Sequence, residues 1–470
     1  MKKSKILSYL LGPVGSGILG LVSLPIITWF YSVEDIGKIS MLQVFSSFMT
    51  LLFCLGLDQA YVREYHESKI KPRLFKASFL PGFTLLLICS FGLYFSDETL
   101  LSNLLYKENN KYLTILSLLC FVLAFCSRFL SLILRMEERA IAYSMSQLLP
   151  KISFLTLILC IVWLGFKTNF YSLILAHSLS ITLVFFVFAW NTRLVWLRSL
   201  SQMIDIEELK KLLHFGLPLV IGGLAAWGLN VMDKLSIRAL STFSELGVYS
   251  VTISIAAVAT VFSSVFNIIW APLVFKWVSE KSVCFNKIDM ISEHLLAAIF
   301  FIIVISGLLS WLLPLLLPKE YGAVEYLITT CLIGPLFYTL SETTAVGITI
   351  ARKTYLAMFA SLTAMIVNGV GNYFLVPIYG AAGAAVSTAV SFWFFYIIRT
   401  ELSRRVWRNI PSGKSYLAVT LIVFITILNT LYLRGSKEIL FIWGGLLFFG
   451  LFFFRQSRKA LLEQVVIKFA

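Results

Sequence analysis

An all-α polytopic membrane protein is the fold class this sequence predicts. About 14 transmembrane helices are expected, arranged as two parallel-repeat six-helix bundles around a central cavity, plus a C-terminal helix pair. Three observations lead there. Of 470 residues, 59% are hydrophobic and 13% charged, whereas soluble domains are about 45–50% apolar and about 25% charged; mean hydropathy is +0.88. Apolar runs near the ~20 residues needed to cross a bilayer recur along the whole chain. A weak repeat at one offset divides most of these runs into two matched sets.

The runs, in order, are 9–31, 39–57, 77–95, 112–134, 148–165, 170–190, 214–239, 248–270, 294–316, 326–349, 356–376, 383–399, 416–433 and 438–454. The first follows MKKSK and resembles a signal peptide. It runs to Tyr31, beyond the ~7–15 residues of a cleaved apolar region, and has no clear cleavage site, so it reads as a retained span. Very short turns join 148–165 to 170–190 and 416–433 to 438–454, which makes each pair a hairpin. GPVGSGILG (12–20) and GAAGAAVS (380–387) supply small residues for close helix approach. Pro13, Pro25, Pro218 and Pro377 are expected to kink their helices.

Lys and Arg set the orientation. With the N-terminus in the cytoplasm, the inside segments and the span ends that face them carry 29 of the 39 basic residues, and the outside segments carry 7. That asymmetry places both termini inside and favours an even number of spans. Every loop is short, so no soluble domain is expected. The net charge of +15 would suit nucleic acid if it formed a basic domain. It is instead dispersed over loops as an orientation signal, and nucleic acid is excluded as a partner.

The repeat rests on SVEDIGKIS (32–40) against TFSELGVYS (242–250), where Asp35, Ile36 and Gly37 match Glu245, Leu246 and Gly247 at an offset of 210. Ser178, Phe185 and Phe186 match Ser387, Phe394 and Phe395 at 209. Each half holds six spans, so the halves share one orientation, as in transporters built from parallel repeats around a midplane pathway. The expected organisation is a bundle at 1–198, a second at 199–408, and two further helices at 409–470.

Little points to catalysis. Cys54, Cys89, Cys120, Cys126, Cys160, Cys284 and Cys331 form no C-x-x-C and read as small core residues. His66, His177, His214 and His294 are dispersed, so no metal is expected. SGKS (412–415) resembles the end of a P-loop, but position 408 is Arg where the earlier Gly belongs, and the segment joins two spans. There is no G-x-S-x-G and no H-E-x-x-H, and the chain is not expected to be an enzyme or to carry a cofactor.

Charges inside the spans carry the functional expectation, since each costs roughly 2.5–3.5 kcal/mol at the bilayer centre. Asn230, Lys234 and Arg238 are spaced i, i+4, i+8 and share a face of the seventh span. Asp233 lies beside them. Arg128 sits in the fourth span. For Lys234, Arg238 and Arg128 two readings stand: lining a wet cavity, or snorkelling to an interface. Asp58 closes the second span, followed by Arg63 and Glu64. Glu342 lies deep in the tenth span and must be protonated, paired or wet. Asp58, Asp233, Glu342 and Arg63 are the coupling or gating candidates. Asn267, Asn368 and Asn372 read as amides bridging helices. Embedded cations in excess suit an anionic solute.

Four segments resemble the polysaccharide-transporter branch of the MOP superfamily. They are FYSVEDIGKISMLQVF (30–45), LGLDQAYVREY (55–65), DKLSIRALSTFSELGVYSV (233–251) and NGVGNYFLVPIYGAAGAAVSTAVS (368–391). The likeness is nearest to Wzx-type flippases of O-antigen repeat units and covers the whole chain. It implies two six-helix bundles around a V-shaped cavity that opens alternately to each side. It also implies a cargo of undecaprenyl-diphosphate-linked oligosaccharide, moved from the inner to the outer leaflet of the inner membrane. Membrane lipids and other polysaccharide-assembly proteins are the implied partners. The branch often has Arg where this chain has Lys234, which keeps the charge but loses bidentate phosphate geometry. A proton or sodium gradient is the expected energy source. Other readings are a lipid II flippase, a cation-coupled multidrug exporter and an O-antigen polymerase or ligase. A positive cavity disfavours cationic drugs, and a polymerase or ligase would need a large outside loop that this chain lacks.

Overall fold

A bilayer offers no water to a backbone, so a spanning segment must satisfy its own N–H and C=O groups. The computed structural model, which describes residues 3–279, 285–434 and 436–458, is accordingly helical, with no strand among the described residues. The chain divides into two compact units, Met1–Val231 and Met232–Ala470.

The first unit contains α1 (Lys3–Phe30), α2 (Val33–Phe53), α3 (Leu57–Glu64), α4 (Lys71–Ser96), α5 (Leu100–Tyr106), α6 (Lys111–Met136), α7 (Ala140–Trp163), α8 (Phe170–Asn191), α9 (Arg193–Leu200) and most of α10 (Ile206–Leu240). The second contains the end of α10, α11 (Phe243–Ala256), α12 (Val258–Ser279), α13 (Phe285–Leu309), α14 (Leu313–Leu316), α15 (Val324–Ile350), α16 (Thr354–Tyr379), α17 (Ala381–Val406), α18 (Gly413–Leu431) and α19 (Glu438–Phe453).

Among the described residues, 13 helical segments are long and apolar enough to cross a membrane. The expected fourteenth, α19, forms in place but has only 16 residues, about 24 Å of helix against a hydrocarbon core of about 30 Å. Cys284 lies outside the described residues.

The repeat has a local cause. Ser32 accepts the backbone N–H of Asp35 at 3.1 Å, and Thr242 accepts that of Glu245 at 3.2 Å. The matched motifs are therefore N-caps that start α2 and α11. Packing repeats as well. In the first unit α2 packs on α6 and α8; in the second, α11 packs on α15 and α17. Likewise α6 and α7 both pack on α8, as α15 and α16 do on α17. In the second unit α18 lies on α17 and α19 on α13.

The second apolar run is broken where it was expected to continue. Leu55 and Gly56 have φ of 52° and 68°, and α3 starts from that reversal. A Cβ on Gly56 would lie 2.0 Å from the carbonyl oxygen of Gly216. Only glycine allows α3 and α10 to approach this closely. The small-residue stripes serve the expected purpose. Gly12 abuts Ser144 and Gln147 of α7, and Gly383 abuts the backbone of Leu375. An aromatic stack of Phe75, Phe79, Phe125 and Phe129 fills the first unit's core beside the buried Tyr61.

Candidate functional site

In the first unit, α2, α3, α6, α7 and α8 surround a cavity of about 620 Å³. Arg128 lines it from α6 and Asp58 from the start of α3. The guanidinium donates Nη2–H to Asp58 Oδ2 at 2.7 Å and Nε–H to the same oxygen at 3.2 Å. Two candidates assigned different roles by sequence thus form one ion pair facing one cavity. Arg63 stands apart from it. Its guanidinium lies 4.4 Å from the ring centre of Phe215 and 3.6 Å from Glu64.

Helix α10 carries the seventh-span cluster. Asn230 donates its amide to the carbonyl of Ala226 at 2.7 Å. One turn earlier, Trp227 donates its indole N–H to Ser47 Oγ at 3.0 Å. Lys234 and Arg238 are half-buried, and Arg238 lies 4.9 Å from the ring centre of Phe243.

Asp233 is 5% exposed and is the centre of a polar cluster inside the second unit. Its Oδ1 accepts from Asn368 at 3.0 Å and Asn372 at 2.8 Å. Its Oδ2 accepts from the hydroxyls of Tyr249 and Thr388. Asn368 also donates to Thr388 at 2.9 Å, and Asn372 to Asn368 at 3.1 Å. Four helices, α10, α11, α16 and α17, contribute, and all four donors to Asp233 are neutral. Beside them, Asn372 Oδ1 and Ser387 Oγ are buried without a hydrogen-bond partner. The cluster is rich in oxygen atoms that suit a proton or a hard monovalent cation.

Glu342 is paired. Arg399 of α17 donates Nη1–H to Glu342 Oε1 at 2.8 Å and to Ser341 Oγ at 2.7 Å. Its guanidinium stands 4.9 Å from the ring centre of Phe395. Arg399 is the partner that the deep carboxylate requires. At the start of α17, far from Arg399 along the same helix, Glu245 Oε2 accepts the backbone N–H of Ala381 at 2.8 Å and so caps α17, where Gly380 turns at φ 55°. This ties two motifs 136 residues apart in one contact. Among the described residues, no three His, Cys, Asp or Glu side chains are grouped to hold a metal ion.

A family model described as polysaccharide biosynthesis protein matches residues 3–278. The chain belongs to the polysaccharide biosynthesis protein family. The match runs from the start of α1 into α12 and includes Arg128, Asp58, Lys234 and Asp233. No curated protein matches the chain significantly. Among solved structures, the lipid II flippase MurJ in an inward closed conformation is similar at 14% identity and a TM-score of 0.67, covering 97% of this chain and 99% of that one. A MATE mutant is similar at 16% identity and a TM-score of 0.48, over 88% of this chain and 95% of that one. A MOP superfamily transporter from Pyrococcus furiosus is similar at 14% identity and a TM-score of 0.46, over 89% and 94%. The fold is that of the flippase structure, and the family model agrees with the polysaccharide part of the resemblance read from the sequence. This is a multi-pass membrane protein.

Sequence reasoning missed Arg399, Tyr249 and Thr388. Arg399 carried a signal, since it is a charge at the edge of a span opposite an unexplained carboxylate. Tyr249 and Thr388 carried none, because a threonine hydroxyl can bond back to its own helix and a tyrosine is common at membrane interfaces.

Proposed function

We propose that this protein is a flippase for an undecaprenyl-diphosphate-linked oligosaccharide, an O-antigen or similar surface-polysaccharide repeat unit. It takes the unit from the cytoplasmic to the outer leaflet of the inner membrane by alternating access, with both termini in the cytoplasm, and does no covalent chemistry. The observation that carries the reading is the face bearing Asn230, Lys234 and Arg238 on α10, a helix long and apolar enough to cross a membrane, in a chain of the polysaccharide biosynthesis family. A diphosphate cannot cross hydrocarbon cheaply. Fixed cations beside water lower that cost while the polyprenyl tail stays in lipid. Arg128, paired with Asp58, is proposed to meet the cargo from the cavity of the first unit and not to serve as a diphosphate cation.

Coupling is assigned to Asp233. It is a carboxylate held by four neutral donors, with further oxygens beside it that can bind a proton or sodium ion. Asp58 and Glu342 each have an arginine against them, which makes them better suited to gating. The likeness to the lipid II flippase is one of fold, so lipid II is the competing cargo; the branch motifs favour the polysaccharide unit.

The test is made in cells. Lys234→Ala and Arg238→Ala are expected to lower surface polysaccharide at unchanged protein level, with lipid-linked units retained on the inner leaflet. Lys234→Arg is expected to keep activity. Normal polysaccharide in both alanine variants would refute the reading. Single units attached at the outer surface would instead indicate a polymerase.

A further inference from the structure

The cavity inside the first unit is lined by polar groups that the chain itself leaves unused. Gln43, Gln147 and His177 face it, and among the described residues their side-chain polar atoms have no hydrogen-bond partner. Ser127 Oγ is buried there without a partner. Other lining hydroxyls are half-used. Ser131 and Ser146 donate to carbonyls one turn back at 2.7 and 2.6 Å, and so turn oxygen lone pairs outward.

Charge decides among ligands. Among the described residues, Arg128 is the only Lys or Arg lining the cavity and Asp58 the only carboxylate, and they pair at 2.7 Å. The lining therefore carries no net formal charge with His177 neutral. A diphosphate finds no excess cation here and an ammonium no excess anion. A neutral polyol satisfies the amides, the hydroxyl oxygens and both ends of the ion pair at once, and the ring of Phe188 offers it an apolar face. The volume of about 620 Å³ falls within the about 300–1,000 Å³ of small-molecule pockets.

We propose that this cavity is a sugar subsite. It seats one or two neutral sugar residues through Gln43, Gln147, His177 and the Arg128–Asp58 pair, so that sugar selection is made apart from diphosphate recognition. That the sugar belongs to the carried head group rests on the flippase reading; that the cavity binds a neutral sugar does not.

The test uses the full chain in lipid nanodiscs, with Ser131→Cys as the only cysteine and the seven native ones replaced by alanine. The rate of maleimide labelling is measured with galactose, rhamnose, N-acetylglucosamine, inorganic pyrophosphate or sodium chloride present. At least one neutral sugar is expected to slow labelling about fivefold at about four times its Kd. The doubly substituted Gln43→Ala, Gln147→Ala chain is expected to lose that protection. Pyrophosphate and sodium chloride are expected to leave the rate unchanged. Should the cysteine-replaced chain fail to fold, the melting-temperature shift of the unaltered chain with each probe makes the same discrimination. No effect of any neutral sugar, or an equal effect of pyrophosphate or sodium, overturns the proposal. Sugar protection in a chain that moves no lipid-linked oligosaccharide overturns the flippase reading alone. Transport without sugar protection overturns the subsite alone.

Discussion

Replacing Asp233 by asparagine removes a charge with almost no change of shape, which isolates what the carboxylate contributes. Each of its oxygens accepts two hydrogen bonds, from Asn368 and Asn372 on one side and from Tyr249 and Thr388 on the other. An asparagine must turn its NH₂ toward one of these pairs. Toward Asn368 and Asn372 it meets amide donors that are committed elsewhere in the cluster. Toward Tyr249 and Thr388 it meets hydroxyls that can rotate and accept. The second arrangement costs less, and it forfeits two charge-assisted bonds of about 1.5–3 kcal/mol each. Re-pairing of the hydroxyls recovers part of the resulting ~3–6 kcal/mol, leaving a loss of about 2–4 kcal/mol. For a unit of this size, 1 kcal/mol corresponds to about 2–4 °C, so the melting temperature is expected to fall by about 5 °C or more. Thr388→Val, which removes one bond, is expected to lie between parent and Asp233→Asn. The assay is thermal unfolding of the purified chain at fixed detergent and lipid. An Asp233→Asn chain that melts with the parent would refute the reasoning, since the cluster would then not depend on the charge.

Three further outcomes follow from the same geometry. Gly56→Ala places a Cβ at positive φ and 2.0 Å from the Gly216 oxygen. It is expected to cost about 2–4 kcal/mol by strain and overpacking, read as lowered melting temperature or expression. Arg128→Ala and Asp58→Ala are expected to be non-additive by about 1–2 kcal/mol in a double-mutant cycle, at the modest end because the Arg128 side chain is 39% exposed; simple additivity would show that the pair does not act as one. Glu245→Gln keeps a hydrogen-bond acceptor at the N-terminus of α17 but loses the charge there. It is expected to cost about 0.3–1 kcal/mol, with Glu245→Ala costing more, and equal stability of all three chains would remove the cap as the reason for the motif.

The helices were legible because hydropathy over ~20 residues is a collective signal that no single residue can hide. Their ends were not. The α2 helix begins at Val33 and α10 extends over 35 residues, since helical hydrogen bonding continues past the apolar run into the interfaces. The breaks at Gly56 and Ala257 fall inside apolar runs, where the backbone turns without any change of polarity. The repeat was visible because it coincides with the caps at Ser32 and Thr242, and caps constrain residue type. The site was legible only in part. Asp58, Arg128, Asp233 and Glu342 stood out as charges where charges are expensive. What each of them pairs with did not show, because contacts across 16 to 155 residues leave no trace in local pattern. Asn368 and Asn372 do bridge helices as expected, and the bridge runs through Asp233.

The most direct test of the central claim is transport in proteoliposomes that hold a defined undecaprenyl-diphosphate-linked oligosaccharide, under an imposed sodium or proton gradient. The native chain is predicted to move the lipid between leaflets faster than protein-free vesicles. Lys234→Ala is predicted to lose that activity and Lys234→Arg to keep it. Equal rates with and without protein, or full activity in Lys234→Ala, would contradict the account.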